Sequence, residues 1–328
     1  MASIDVVVPC YNYGHFLADA VGSVLSQEGA DLRVLIIDNA SEDDSLEVAR
    51  ALRARDKRVE VMAHSVNQGP TSSYNGGIDE ASADYFLILD ADDLLAPGAL
   101  SRALSVLENN PDVCFAFGLE GRLDEGHAAR PTVPRTSGGV SVATGGEFIR
   151  GLCSWPVNRI GANTVVRRTS AQKRIGHYRP SLPYTDDLEM WLRLATLGGV
   201  ACISDVQAIR RYHGSRMSVH YQSRQARDFV EREKAFVSFF DNEGRQLPDA
   251  PMLMAQVRKG LGQLAYWSAI SHFTRGQRRS AMEIMRLSHR WRPHAVLLPP
   301  VAALLHMDRP LGRTFDILRE ALASRGGR

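Results

Sequence analysis

Apolar runs alternate with amphipathic segments through the first hundred residues of the chain. The runs are short, rich in Val, Ile and Leu, and end in polar residues, whereas the segments between them repeat apolar residues at helical spacing. Continuous apolar strands separated by helices are typical of a parallel sheet that is covered on both faces. The pattern predicts strands at 4–9, 33–38, 59–63, 85–90 and 113–117, and helices at 17–26, 45–53, 71–83 and 99–109.

The pattern changes in the second half of the chain. Residues 130–139 are rich in Pro, Thr and Gly and predict a loop, whereas 184–197 has the apolar spacing of a helix. Beyond about residue 222 only helices are predicted, at 225–241, 252–273, 277–290 and 310–324. We therefore predict an α/β domain over residues 1–222 and a helical region over residues 223–328.

Charge is distributed unevenly along this 328-residue chain, whose 44% hydrophobic and 23% charged residues are typical of a globular protein. The net charge is only +2, but residues 251–328 contain 13 Lys/Arg against 4 Asp/Glu, and residues 1–250 contain the other 26 against 33. The last quarter of the chain is therefore basic, and the rest is acidic.

The cysteines and the apolar runs indicate the cellular compartment in which the protein is expected. The four cysteines form no C-x-x-C pair, which argues against a zinc site and a disulfide framework. No basic leader precedes the first strand, and no apolar run reaches the roughly 20 residues that a membrane-spanning helix needs. We therefore expect a cytoplasmic protein.

Three carboxylates, Asp90, Asp92 and Asp93, follow the apolar run 85–89. The carboxyl ends of parallel strands meet at one edge of a sheet, and ligands bind beyond that edge. Two carboxylates in a D-x-D pattern can hold a divalent cation that also binds phosphate oxygens. Alternatively, Asp92 or Asp93 caps the helix that begins near Pro97, and the residues alone leave both interpretations open.

Four motifs occur in order along the chain: VVVPCYNYGHFLADAVGSVLSQ, IIDNASEDDS, NQGPTSSYNGGIDEASADYFLILDADD and TDDLEMWLRL. Together they resemble the family 2 glycosyltransferases, over roughly residues 3–218. The resemblance implies the GT-A fold, a Rossmann-like and mostly parallel sheet flanked by helices. It also implies an inverting, metal-dependent transfer of a sugar from a UDP- or dTDP-sugar donor to a hydroxyl acceptor, in the synthesis of cell-surface polysaccharide, lipopolysaccharide or another glycoconjugate.

The resemblance implies donor contacts for one set of residues. These are Pro9, Tyr11, Asn12, Asp38, Asn39, Ser41, Asn67, Gly69, Asn75, Asp90 and Ala91. Two positions depart from the family's pattern. Asn39 stands where a second Asp is more usual, and Tyr74 stands where an Arg is common.

The metal site and the catalytic base are implied in the same way. Asp92 and His213 are expected to bind Mn²⁺ or Mg²⁺. Asp187 is expected to be the base, because the attacking acceptor hydroxyl must lose its proton. Asp186 and Trp191 are expected on the acceptor side. The residues alone also allow Asp186 and Asp187 to be ordinary acidic residues at a helix N-terminus, favoured by its dipole.

Two further roles are implied around this site. Asp93 is expected either on the acceptor side or at the start of the next helix. Arg210, Arg211 and Arg216 are candidate partners for the phosphates of the donor.

Two other functions fit part of the pattern. A phosphatase of the haloacid dehalogenase type also ends a strand in D-x-D. In that family the D-x-D lies near the start of the chain and a Thr or Val directly follows its second Asp, whereas here Asp93-Leu94 follows Asp92. A transferase that has lost catalysis and only binds a sugar nucleotide is the second.

The basic helical region leaves three partners open. Its mixture of aromatic and Arg residues suits a membrane surface, an acceptor or a second subunit in a homodimer. It forms no recognisable nucleic-acid-binding module, so no nucleic-acid partner is expected.

Overall fold

The computed structural model describes residues 1–124, 131–214, 225–293 and 299–300. The chain divides into two compact units. The sheet unit contains the described residues of Met1–Ile149 and Asn158–Arg216, and the helical unit contains those of Arg150–Val157 and Met217–Arg328. The division into an α/β domain over residues 1–222 and a helical region over residues 223–328 stays a prediction.

A nine-stranded sheet forms the centre of the sheet unit. Its strands are β1 (Ser3–Cys10), β2 (Asp31–Asp38), β3 (Val59–Ala63), β4 (Tyr85–Ile88), β5 (Leu94–Leu95), β6 (Val113–Asp124), β7 (Val140–Ala143), β8 (Val166–Arg168) and β9 (Gly199–Tyr212). Their order is β3-β2-β1-β4-β8-β6-β9-β5, with β7 paired to β9. The first four strands run parallel to one another, as do β6 and β9. Antiparallel β8 lies between these two groups.

Helices flank this sheet and make up most of the helical unit. They are α1 (Gly14–Leu25), α2 (Ser45–Arg55), α3 (Pro70–Glu80), α4 (Ala99–Asn109), α5 (Gly145–Ser154), α6 (Thr169–Ile175), α7 (Asp186–Ala195), α8 (Gln225–Asp241), α9 (Ala250–Thr274) and α10 (Arg278–Trp291). The GT-A type α/β fold implied by the motifs is thereby confirmed. Among the described residues, none of the helices is both long and apolar enough to cross a membrane.

Strand β1 is covered on both faces, as its unbroken apolar run predicts. Val6 and Val8 lie in a core cluster with residues of α1, such as Leu17. Val7 packs on the other face against α3, so closely that a Cβ at Gly77 would lie 2.5 Å from the Val7 Cγ1 atom. Only glycine fits at this crossing. The helix that leads toward the acidic cluster is therefore held directly on the central strand.

The predicted strands and helices are all present where the chain is described. Their ends differ by up to three residues, except that β6 continues to Asp124, seven residues beyond its predicted end. Strand β9 was not predicted, although it is the longest, with 14 residues. Its apolar residues are interrupted by Ser204, Asp205 and Gln207, so neither an unbroken run nor a strict alternation marks it. The predicted helix 310–324 lies outside the described residues.

Candidate active site

The ends of β1, β2 and β4 meet at one edge of the sheet. Cys10 on β1 pairs with Asp38 on β2, and Val7 on β1 pairs with Ile88 on β4. The segments that follow these strands therefore converge, as parallel strands require. Strand β9 ends at the same place, because the backbone N–H of its Arg211 donates to the Asp93 carboxylate at 2.9 Å.

The turn after β1 is joined to the loop after β2. Asn12 has a φ of 59°, a left-handed conformation that Asn tolerates better than most residues. Its N–H donates to Ser41 Oγ at 3.0 Å, and its Oδ1 accepts the Glu42 N–H at 2.8 Å. The Ser41 N–H donates to Asp38 Oδ2 at 3.2 Å. Three residues expected at the donor therefore form one hydrogen-bonded shelf.

One oxygen on this shelf is left without a partner. Asp38 is only 2% exposed, and its Oδ1 has no hydrogen bond within the part of the chain that the structure describes. A buried polar atom of this kind costs free energy unless something satisfies it. A ligand N–H or O–H fits this position.

Asn39 organises the loop after β3. Its Nδ2 donates to Asn67 Oδ1 at 3.0 Å and to the Gly69 carbonyl at 3.1 Å. Its Oδ1 accepts the Gln68 N–H at 3.0 Å and lies 2.9 Å from His64 Nδ1. A carboxylate could not donate to Asn67 and Gly69, which explains why an amide suits this position. Asn39 and Asn67 thus hold the loop rather than pointing free side chains into the site.

Asn75 has a similar holding role between α3 and the segment before α7. Its side chain donates to the Tyr178 carbonyl at 3.0 Å and accepts the Tyr178 N–H at 2.8 Å. Neighbouring Tyr74 lies against the Tyr178 ring, with centroids 5.5 Å apart. The charge of Asp90, followed by burial and the charges of Asp186 and Asp187, raises the pKa of Tyr74 well above its usual range. A phenol therefore lies among three carboxylates, where the family commonly has an Arg.

The acidic cluster lies at the end of β4. Asp90, Asp92 and Asp93 each offer a carboxylate oxygen, and these oxygens all lie within 4.8 Å of one another. Burial, followed by the charge of Asp92, raises the pKa of Asp90 to about 7. Burial and the charges of Asp90 and Asp92 also raise the pKa of Asp93 well above its usual range. Such a cluster favours a cation, which would relieve the repulsion.

Asp93 has hydrogen-bond partners in two other parts of the sheet unit. Its Oδ2 accepts Asn163 Nδ2 at 2.6 Å, and its Oδ1 accepts the Arg211 N–H. Helix α4 has Gly98 as its N-cap residue, so the expectation that Asp93 caps that helix is wrong. Asp93 instead ties the acidic loop to β9 and to the short helix Ala162–Thr164.

His213 and Asp92 are close neighbours, as expected for two ligands of one metal ion. The distance from His213 Nε2 to Asp92 Oδ2 is 2.9 Å, and the His213 side chain is 1% exposed. The imidazole packs against the rings of Tyr13 and Phe16, with centroids 5.5 Å and 4.8 Å away. Carboxylate oxygens together with one imidazole suit a divalent ion such as Mn²⁺. The donor set therefore fits the metal that the motifs imply.

Asp186 and Asp187 begin α7. Burial raises the pKa of Asp186 to about 6. Burial, followed by the charges of Asp186 and Asp90, raises the pKa of Asp187 to about 8, against the opposing effects of Arg167 and Arg210. A carboxylate whose pKa lies close to neutral pH is suited to accept a proton.

Trp191 lies in the core. Its side chain is fully buried, and its ring packs against Phe115 with centroids 5.6 Å apart. This corrects the expectation that Trp191 contacts the acceptor, because a side chain without exposed surface cannot do so.

The remaining expected residues lie around the same edge of the sheet. Pro9 is partly buried within β1, Tyr11 is 40% exposed, Ala91 is buried, and Gly69 adopts a φ of 82° just before α3. Arg211 supports the acidic loop, because its Nε donates to the Asp92 carbonyl at 3.1 Å.

The structure describes only one of the other two candidate phosphate partners, Arg210 and Arg216. Arg210 forms an ion pair with Glu120 at 2.9 Å. Arg216 lies outside the described residues.

Sequence reasoning missed three residues near the site: Asn163, Tyr178 and Arg167. Asn163 and Tyr178 hold Asp93 and Asn75 through contacts across 70 and 103 positions of sequence. Arg167 lies on β8, a strand too short to be marked by a pattern. No local signal in the sequence identifies any of the three.

The fold and the acidic cluster define a protein of the GT-A glycosyltransferase class. The family model described as "Glycosyl transferase family 2" matches residues 5–174, more than half of the chain. This chain belongs to glycosyl transferase family 2.

Relatives among known proteins agree with this assignment. An uncharacterized glycosyltransferase of Haemophilus influenzae is 23% identical over 252 residues, 73% of this chain and 75% of that protein. A second one from the same organism is 33% identical over 110 residues, 34% of this chain and 44% of that protein. A Campylobacter jejuni protein named GalNAc(5)-diNAcBac-PP-undecaprenol beta-1,3-glucosyltransferase is 35% identical over 119 residues, 36% of this chain and 38% of that protein. The last two matches cover less than half of those proteins.

Solved structures resemble the chain over most of its length. S. aureus TarS 1-349 in complex with UDP-GlcNAc has a TM-score of 0.57 at 15% identity, covering 89% of this chain and 92% of that one. The mannosyltransferase PcManGT from Pyrobaculum calidifontis, in complex with GDP-Man and Mn2+, has a TM-score of 0.57 at 18% identity, covering 98% and 86%. At this level of identity the likeness concerns the fold. The phosphatase alternative is not favoured by any of these comparisons.

Proposed function

We propose that this chain is an inverting, metal-dependent glycosyltransferase that moves a sugar from a UDP- or dTDP-sugar to a hydroxyl group of an acceptor. One observation carries the proposal. Asp187 has a pKa of about 8, and the negative charge of Asp90 in the acidic cluster is one of the causes that raise it. A candidate base and a candidate cation site therefore occupy one edge of the sheet.

In this proposal, Asp187 takes the proton of the acceptor hydroxyl as that oxygen attacks the anomeric carbon. Attack comes from the face opposite the leaving nucleotide, so the base and the diphosphate lie on opposite sides of the sugar. Asp186, next to Asp187 at the start of α7, lies on the acceptor side. Asp187 can accept this proton at neutral pH only in its ionised form.

The other residues bind and orient the donor. The open Oδ1 of Asp38 accepts a hydrogen bond from the nucleoside, and Asn12 and Ser41 hold that carboxylate in place. In this proposal Asp90 contacts the ribose or the sugar of the donor. A divalent ion held by Asp92 and His213 would stabilise the negative charge on the departing diphosphate.

A screen of UDP-, dTDP- and GDP-sugars, each with Mn²⁺ or Mg²⁺, tests the reaction. We expect one nucleotide sugar to raise the melting temperature and to release its nucleoside diphosphate slowly by hydrolysis. The Asp187→Asn variant is expected to keep the thermal shift and lose transfer. Release of inorganic phosphate from phosphate esters, with no response to any nucleotide sugar, would instead support the phosphatase alternative and refute the proposal. A thermal shift without turnover in the wild-type protein would support a protein that only binds the sugar nucleotide.

We propose further that the acceptor is lipid-linked and that the turn between α9 and α10 docks on the cytoplasmic surface of a membrane. Phe273, near the end of α9, and Met282, in the second turn of α10, are 62% and 56% exposed. Arg278, Arg279 and Arg286, all on α10, are also exposed. Apolar side chains flanked by arginines suit a bilayer with anionic lipids. The name of the Campylobacter relative, an undecaprenol-linked glucosyltransferase, supports a lipid-linked acceptor.

A second subunit is a less favourable occupant of this surface. A twofold contact through the turn would bring the arginines of both copies together, and like charges repel.

A liposome sedimentation assay distinguishes a membrane from a second subunit as the partner of this surface. Arg278→Glu/Arg279→Glu is expected to lose binding to vesicles that contain phosphatidylglycerol, whereas Lys259→Glu, at an exposed position elsewhere on α9, keeps it. Equal binding by both variants, or a wild-type dimer that only the first variant dissociates, would overturn the membrane assignment.

A further inference from the structure

Arg167, on β8, is a fully buried arginine that forms no ion pair with a carboxylate among the described residues. Its Nη1 donates to Gln172 Oε1 at 2.8 Å and to the Tyr178 hydroxyl at 3.0 Å. Its Nε and Nη2 have no acceptor within the described part of the chain. Burying a guanidinium with unpaired N–H groups costs folding free energy. Stability alone therefore does not explain an arginine here.

Three aromatic rings surround the guanidinium. Its Cζ lies 4.9 Å from the ring centroid of Phe86, 5.3 Å from that of Trp191 and 5.8 Å from that of Tyr178. Attraction to the ring faces offsets part of the cost of burial. The rings also exclude water, so the charge acts on its neighbours with little screening.

The next residue shows what a structural arginine looks like on the same strand. Arg168 Nε donates to the Val113 carbonyl at 2.9 Å, and its Nη2 donates to the carbonyls of Leu107 and Asn110 at 2.6 Å and 3.3 Å. Those bonds join β8 to the start of β6 and to the end of α4. The N–H groups of Arg168 are thus used for the fold, whereas two of those of Arg167 are not.

The guanidinium of Arg167 packs against Trp191 of α7. Trp191 is four residues after Asp187, and residues at this spacing lie on the same face of a helix. The positive charge of Arg167 lowers the pKa of Asp187, against burial and the negative charges around it. Arg210 acts in the same direction, but its charge is already paired with Glu120.

We propose that Arg167 is a positioning residue, whose buried and unpaired positive charge stabilises the carboxylate form of Asp187 during transfer. This inference rests on the proposed role of Asp187 as the base. It assigns a function to a residue that the family motifs did not single out. It also explains why a charge is retained where an apolar side chain of similar size would pack at lower cost.

Arg167→Met tests the inference, because methionine fills similar space without charge. We expect kcat for transfer at neutral pH to fall roughly 10- to 100-fold, with the KM for the nucleotide sugar unchanged. The melting temperature is expected to fall by less than in Arg168→Met, because the loss of the donor to Gln172 Oε1 is offset by removal of a buried, partly unpaired guanidinium. The acid limb of the pH–rate profile is expected to move to higher pH. Asp90, Asp186 and Arg210 also face Asp187, together with the Tyr74 and Tyr178 hydroxyls, and all are unchanged in the variant.

Arg168→Met is the matched control. It is expected to lower the melting temperature, because the carbonyls that it now binds would lose their donors. A loss of stability in Arg167→Met as large as in Arg168→Met, with activity lost only in proportion, would overturn the inference. Unchanged kcat and an unchanged pH profile in Arg167→Met would also overturn it.

A second variant keeps the test decisive where Arg167→Met does not fold. Arg167→Lys retains the charge, so its acid limb is expected to stay near that of the wild-type protein. A shift in Arg167→Lys to higher pH would contradict the inference. The donor screen on the wild-type protein is carried out before any variant is compared. If the wild-type protein consumes no nucleotide sugar in that screen, the proposed function fails rather than the role of Arg167.

Discussion

Asp187→Asn is expected to stabilise the protein while abolishing transfer. Burial and the neighbouring charges of Asp186 and Asp90 raise the pKa of Asp187 from 3.8 to about 8. An unfolded chain therefore ionises this carboxyl as the pH rises above 3.8, while the folded protein keeps it protonated. The folded state loses stability relative to the unfolded state across this range, up to the pKa of the folded protein.

The structure sets an upper limit on this effect. About three pH units separate 3.8 from pH 7, and each costs about 1.4 kcal/mol, so the limit is about 4 kcal/mol at pH 7. Asp90 and Asp186 titrate in the same range, with pKa values of about 7 and 6, and share the repulsion. We therefore expect Asp187→Asn to gain roughly 1–3 kcal/mol at pH 7.

Urea unfolding of both proteins from pH 4 to pH 8, with a chelator to exclude metal, measures the difference. The advantage of Asp187→Asn is expected to be absent near pH 4 and to grow with pH. Asp31→Asn, at an exposed position at the start of β2, is the control and is expected to show no such growth. An advantage that does not depend on pH, or a variant less stable than the wild-type protein at pH 8, would refute the electrostatic argument.

Three further outcomes are expected. His213→Ala should weaken Mn²⁺ binding about tenfold or more in calorimetry, because one of the two proposed ligands is lost, and unchanged affinity would place the ion elsewhere. Gly77→Ala should destabilise the fold by about 1–3 kcal/mol in urea unfolding, because the added methyl would lie 2.5 Å from Val7 Cγ1. Gly76→Ala is the control and should be neutral or stabilising, because its methyl would meet nothing nearer than 3.8 Å. Asn39→Asp should cost about 1–3 kcal/mol and speed amide exchange in the loop 64–69, because a carboxylate cannot donate to that loop, and unchanged exchange would contradict its holding role.

Local pattern was enough to predict the strands that lead to the site. The apolar runs, the D-x-D carboxylates and the acidic pair before α7 are all visible in neighbouring residues, and parallel strands bring such ends together whatever the details of packing. Asp92 and His213 were expected as neighbours from the family motifs, and the structure places them 2.9 Å apart. Residue type and short spacing therefore determined the class of fold, the edge of the sheet that carries the site and most of its acidic residues.

Burial and long-range hydrogen bonds were decided only by the tertiary structure. Asp93 is held by Asn163, 70 positions away, and Asn75 by Tyr178, 103 positions away. Trp191 belongs to the core because Phe115 lies against it, which no spacing within α7 reveals. The unpaired charge of Arg167 exists only because β8 places it between β4 and α7. The sequence by itself determined which groups reach the site, and the tertiary structure decided which of them remain available for chemistry, because availability depends on partners that are distant along the chain.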